Sequence, residues 1–119
     1  MKHRLLLTIA LAGIACLMAA PAIVRADPPG YRPLNPNDVY SSPNYAIAFM
    51  NGDAVAENPL GGCDNLAQMI DFYCWQHEAY EQQAQIDPVW GASAEGYQDR
   101  VDAATWCWAY QDAYAANCP

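Results

Sequence analysis

Hydrophobic and polar positions divide the chain into contrasting stretches. Residues 5–24, LLLTIALAGIACLMAAPAIV, are apolar without a charge. Residues 27–42, DPPGYRPLNPNDVYSS, are polar and carry four prolines, which fix φ and remove backbone donors. They read as an extended arm. The next stretch, SPNYAIAFMNGD, opens on the helix-start pair Ser42-Pro43 and closes on Asn51-Gly52, a stop signal. Residues 43–50 therefore read as a short helix, although YAIAF also fits a strand. Residues 60–85 and 94–118 have no internal proline and are rich in Ala and Gln. They read as two long helices. Helical spacing gathers Cys63, Leu66, Ala67, Ile70, Cys74 and His77 on one seam of the first. On the second it gathers Arg100, Ala103, Ala104, Cys107, Tyr110, Gln111, Tyr114 and Cys118. Large residues on one seam face alanines on the other.

Both long stretches contain Cys, ten residues, Cys: CDNLAQMIDFYC and CWAYQDAYAANC. Eleven positions along a helix turn about 1,100 degrees and advance roughly 16 Å. Each pair thus shares one face, but its members are too far apart for a disulfide, which needs Cα atoms within about 7 Å. Two pairings between the helices remain. The parallel one requires the connection to travel back a whole helix length, whereas a short connection makes antiparallel neighbours. The expected bridges are Cys63–Cys118 and Cys74–Cys107. Their midpoint falls in IDPVWGAS, where Pro88 and Gly91 break helices and Ser93 caps the next one, with Glu95 in its first turn. The expected fold class is all-α: a disulfide-stapled antiparallel helical hairpin with a short extra helix and a Pro-rich arm. Residues 43–119 would form one small helical domain.

The N-terminus sets the compartment. A basic start (MKHR), the apolar block and small residues before Asp27 have the form of a secretory signal peptide over residues 1–26. Cleavage after Ala22 or Ala26 fits, with Ala26 preferred because the polar chain begins there. An uncleaved anchor and lipidation of Cys16 are the rival readings. Gly13 stands three before Cys16, where bacterial lipoprotein signals have a leucine-like residue. Export suits an even set of four remaining cysteines used as bridges in a chain too short for a large core.

Loss of the leader removes Lys2, Arg4 and Arg25 and takes the formal charge from −8 to −11. Such a surface repels nucleic acid and anionic lipid. It serves solubility, or in a sharper reading a cationic partner such as a basic protein or peptide. No stable membrane span is expected after signal cleavage. Catalytic groups are few. Beyond the leader there are four hydroxyls besides tyrosine (Ser41, Ser42, Ser93, Thr105), one histidine (His77) and no lysine. Cys74-Trp75-Gln76-His77 has half of a zinc spacing, without a companion pair. Neither a metal nor a cofactor is expected.

Aromatic residues are the most suggestive feature. Trp75 follows Cys74, Trp106 and Trp108 flank Cys107, and Trp90 lies at the turn, with Tyr73, Tyr80 and Tyr97 in the same region. These aromatics read either as a core layer covering the inner bridge beneath the N-terminal segment or as an exposed surface; in the second reading Trp75, Trp90, Trp106, Trp108 and Tyr80 form the candidate binding patch. Trp106 and Trp108 diverge by about 200 degrees, so both cannot bury against one neighbour. The leading expectation is a secreted, non-enzymatic helical module that binds a protein or other macromolecule in the envelope or outside the cell. The alternatives are a small hydrolase or redox enzyme using His77 or a labile Cys74–Cys107 bridge, and a structural envelope or stress protein.

The twin C-x10-C pattern resembles the mitochondrial coiled-coil-helix (CHCH) hairpins in architecture. Those proteins usually have nine residues between cysteines and no cleaved secretory signal. The leader followed by ADPPG is similar to small exported proteins of mycobacteria and related actinobacteria, which implies export and assigns no site residue.

Overall fold

The computed structural model describes residues 28–119, which are helical with connecting turns. The helices are α1 (Pro36–Tyr40), α2 (Pro43–Ala56), α3 (Gly62–Ile86), α4 (Pro88–Ala92) and α5 (Ala94–Asn117). The leader, its cleavage sites and Cys16 lie outside the described residues.

Three of these helices start by one local rule. Asn35, Ser42 and Asp87 each accept a hydrogen bond at the helix N-terminus, from the amides of Asn37, Asn44 and Trp90, and each precedes a proline. The side chain satisfies an orphan donor while proline supplies the φ of the first turn and lacks the amide that would go unpaired. This rule modifies the extended arm, which stays non-helical over residues 28–35. Pro36 sits at the first helical position of α1, so the arm contains a helical turn over residues 36–40. Ser93 caps α5 through the Gly96 amide, as expected. Helix α3 has no such cap and begins after Gly61, whose φ of +77° favours glycine.

Helix α2 is longer than expected. It continues through Asn51 and Gly52 to Ala56. A Cβ on Gly52 would stand 2.7 Å from the Ala113 Cβ and 3.1 Å from Tyr110 Cδ1. Glycine therefore lets α2 lie close on α5 and is not a stop. Asn51 Nδ2 donates to the Tyr110 hydroxyl (2.9 Å). Tyr45 donates to Asp112 at the other end of the same contact.

The hairpin is antiparallel and carries both expected rungs. Cys63–Cys118 has a Cα separation of 5.9 Å and Cys74–Cys107 one of 4.7 Å. Helix α5 is the centre of the molecule and packs against the other four. Its buried positions Ala109, Tyr110 and Ala113 join Ala48 and Leu66 in one core beneath α2. Nearer the turn, Tyr97, Val101 and Ala104 join Val39 of α1 in a second. Phe49 packs against the first core, whereas Ile47 and Met50 remain exposed, so α2 covers the hairpin with only part of its apolar surface.

Arg100, a seam residue of the second long helix, carries the ion pair of the interhelical contact. It is fully buried. Its Nε and Nη2 donate to the two Glu81 oxygens at 2.9 Å each, Nη1 donates to the Gly91 carbonyl at 2.9 Å, and Nη2 also reaches the Tyr31 hydroxyl at 3.1 Å. The Tyr31 hydroxyl donates to Glu81 at 2.8 Å. One buried guanidinium thus joins α3, the interhelical turn and the start of the arm. Among the described residues no helix is long and apolar enough to cross a membrane. The two interhelical disulfides are consistent with an extracellular protein.

Candidate functional site

The candidate patch is not one surface. Trp75, Trp106 and Trp108 are close to the inner bridge in sequence but point three ways. Trp75 is 66% exposed on the outer flank of α3, one turn after Phe72, which is 59% exposed. Trp106 stacks on Tyr73 with ring centroids 5.9 Å apart. Trp108 lies on the other side of α5, beside Tyr40 (5.5 Å) and edge-on to His77 (6.1 Å). It packs against the Val39 core and lines a separate depression with Pro36, Tyr40, Gln111 and Asp112. The divergence of Trp106 and Trp108 is the one helical geometry requires. Trp108 therefore leaves the candidate patch. Trp90 stacks on Tyr80 (6.0 Å), which joins the turn to α3.

Of the remaining members, Tyr80 and Trp106 line a groove of about 390 Å³ between α3 and α5, and Trp75 and Trp90 lie outside it. From α3 come Tyr73, Gln76 and Tyr80; from α5 come Asp99, Asp102, Ala103 and Trp106. Each set follows the three-four spacing of one helical stripe. The concavity has a simple source. Ala103, which is buried, is the smallest residue of its stripe, with Trp106 one turn to one side and Asp99 one turn to the other. A smaller depression of about 230 Å³, lined by Trp75, Gln76, Ala79, Tyr80 and Gln83, adjoins it through Gln76 and Tyr80. Aromatic surface thus continues from Trp75 across Tyr80 into the groove.

The groove combines ring faces with carboxylates. Asp102 accepts a hydrogen bond from Gln98 Nε2 at 2.9 Å through one of its oxygens. No basic residue lines the groove. The expected patch did not include Asp99, Asp102 or Gln76. Their signal in the sequence is spacing: Asp99, Asp102 and Trp106 fall on the same stripe, as do Tyr73, Gln76 and Tyr80.

Apart from His77, several residues considered for catalysis have structural roles. Cys74 of the C-x-x-H element is bridged to Cys107. Thr105 is buried and donates to the Val101 carbonyl, and Ser42 and Ser93 cap helices. The His77 Nδ1 is buried without a hydrogen-bond partner among the described residues. Burial holds the His77 pKa below 6.5, against the opposing pull of Glu81 and Glu78 and with a smaller contribution from Arg100. Burial works to raise the Glu81 carboxyl, but hydrogen bonds from Arg100 and Tyr31, together with the Arg100 charge, outweigh it and leave the pKa below the usual value. Among the described residues no cluster of three His, Cys, Asp or Glu side chains has the arrangement of a metal site. No protein-family model, curated protein or solved structure matches the chain.

Proposed function

We propose that this chain is a small secreted, non-enzymatic module that binds a protein or peptide partner outside the cell or in its envelope. The observation that carries the reading is the exposed aromatic flank of α3. Phe72 and Trp75 stand a turn apart, largely in solvent, on a helix held by two disulfides. Large exposed aromatics on a rigid scaffold lose little conformational freedom on binding and contribute much contact area. The acidic charge and the small number of hydroxyl and imidazole side chains beyond the leader support the same reading.

The test is a photo-crosslinker placed beside Trp75 in the exported protein. A crosslinked partner should be identified and then rebound in purified form. Phe72→Ser with Trp75→Ser should retain both bridges and helicity by mass and circular dichroism, and should lose purified-partner binding. Unchanged binding by that folded double variant rejects this face as the binding surface.

A further inference from the structure

The groove beside this flank suggests what kind of group the partner presents, and this inference rests on the binding reading above. The chain has two arginines beyond its leader, and both contact aromatic rings. Arg100 is bridged by Glu81 and lies 5.1 Å from the Tyr31 ring centroid. Arg32 sits 3.5 Å over the Tyr97 ring, and the Tyr97 hydroxyl donates to Asp38 at 2.6 Å. The protein's own guanidiniums are thus held in surroundings of tyrosine and carboxylate. The groove has the same ingredients in open form: Tyr73, Tyr80 and Trp106 with Asp99 and Asp102, and no basic residue among its lining.

We propose that this groove receives an arginine side chain from a basic polypeptide. A guanidinium is planar, offers several donors to carboxylates and stacks on aromatic faces, and it is less strongly hydrated than an ammonium. Its stem can cover the apolar surface of Tyr80 and Ala103 while its head meets Asp99 and Asp102. Charge complementarity favours the same occupant at longer range, because the whole chain carries a formal charge of −8 and attracts cationic polypeptides before contact. The adjoining Trp75 depression gives a neighbouring residue of the same polypeptide a second place to rest.

The experiment is calorimetric titration of the oxidised, exported protein with a capped hexa-arginine peptide at about 0.15 M salt, where long-range attraction between exposed charges is screened. Asp99→Asn with Asp102→Asn should weaken binding by roughly tenfold or more, as expected for a charge-assisted contact against an aromatic wall. A control pair at the far end of the hairpin, Glu57→Gln with Asp64→Asn, removes the same charge and should weaken it by no more than about twofold. Tyr80→Leu, which removes the ring and keeps much of the bulk, should also weaken binding. Equal losses in the two charge-removing pairs overturn the site, because they show diffuse attraction. Absence of hexa-arginine binding overturns it too. Equal binding of hexa-lysine rejects guanidinium selectivity, and displacement by millimolar phosphocholine rejects the polypeptide as occupant. If the groove variants leave partner binding intact while the Phe72 and Trp75 variant abolishes it, the arginine assignment fails and the binding-module reading stands. If the groove holds hexa-arginine but the Phe72 and Trp75 variant keeps its partner, the aromatic-flank reading fails.

Discussion

Arg100 shows how much a single residue can contribute where burial and pairing coincide. Its guanidinium makes bonds to Glu81, Gly91 and Tyr31 with no solvent exposure. Removing one partner of a buried ion pair leaves the other charged and poorly solvated. Arg100→Met should therefore cost about 3–5 kcal/mol, and a further Glu81→Leu should recover part of that loss. Urea unfolding of the two single variants and the double variant measures the coupling. His77 acts in the same region with a definite sign. Its folded pKa lies below 6.5, so the unfolded chain takes up a proton more readily than the folded one. Its contribution is present above 6.5 and is lost as pH falls through the folded value. Glu81, also lowered in the folded state, acts in the same direction further down, below 4.5. Stability should fall on acidification from about pH 7 to 5, and His77→Phe should flatten that part of the profile in thermal melts. From sequence, Arg100 was readable as a seam residue of the second long helix. Its burial was not, because the covering Tyr31 and Gly91 lie in the arm and the turn, outside any one helical period.

At the scale of elements, helix positions were legible where spacing and punctuation agreed. The long helices, the Ser93 cap and the pairing of the four cysteines follow from periodicity and helical rise. Two misreadings have physical reasons. Asn51-Gly52 has the composition of a stop, but a tertiary contact decides the matter: α2 needs glycine to approach Ala113. Asn35-Pro36 has the form of a cap and first helical residue, yet four prolines in the arm masked it. Gly52→Ala separates these effects. Helix propensity alone would gain about 1 kcal/mol, whereas overpacking against Ala113 and Tyr110 should give a net loss of roughly 1–3 kcal/mol. A rise in melting temperature would show that α2 relaxes away from α5 without strain. The candidate patch was only half legible. Proximity of Trp75, Trp106 and Trp108 in sequence says nothing about direction, and the helical angle divides them between opposite sides. Spacing also holds the Asp99, Asp102 and Trp106 stripe, but a single acidic residue on a helix is ordinarily only a solvated surface.

At the scale of the molecule, the two bridges compensate for a small core. They close sequence separations of 55 and 33 residues. Chain-entropy reasoning assigns each about 3–4 kcal/mol, less for whichever forms second because the first shortens its loop. Cys63→Ala with Cys118→Ala should lower the melting temperature by roughly 10 °C or more while α4 and the inner rung persist. Loss of all cooperative unfolding would mean that the outer rung is required for the fold itself. A stapled hairpin also explains how aromatic residues remain exposed without collapsing inward, since the bridges fix the two helices and the groove between them. The most direct test is a ¹H–¹⁵N NMR titration of the oxidised protein with hexa-arginine. Saturable shifts should concentrate at Tyr73, Gln76, Tyr80, Asp99, Asp102 and the Trp106 indole, with Trp108 on the opposite side unmoved. Shifts spread evenly over the acidic surface, or centred on Trp108, would contradict a binding face between α3 and α5.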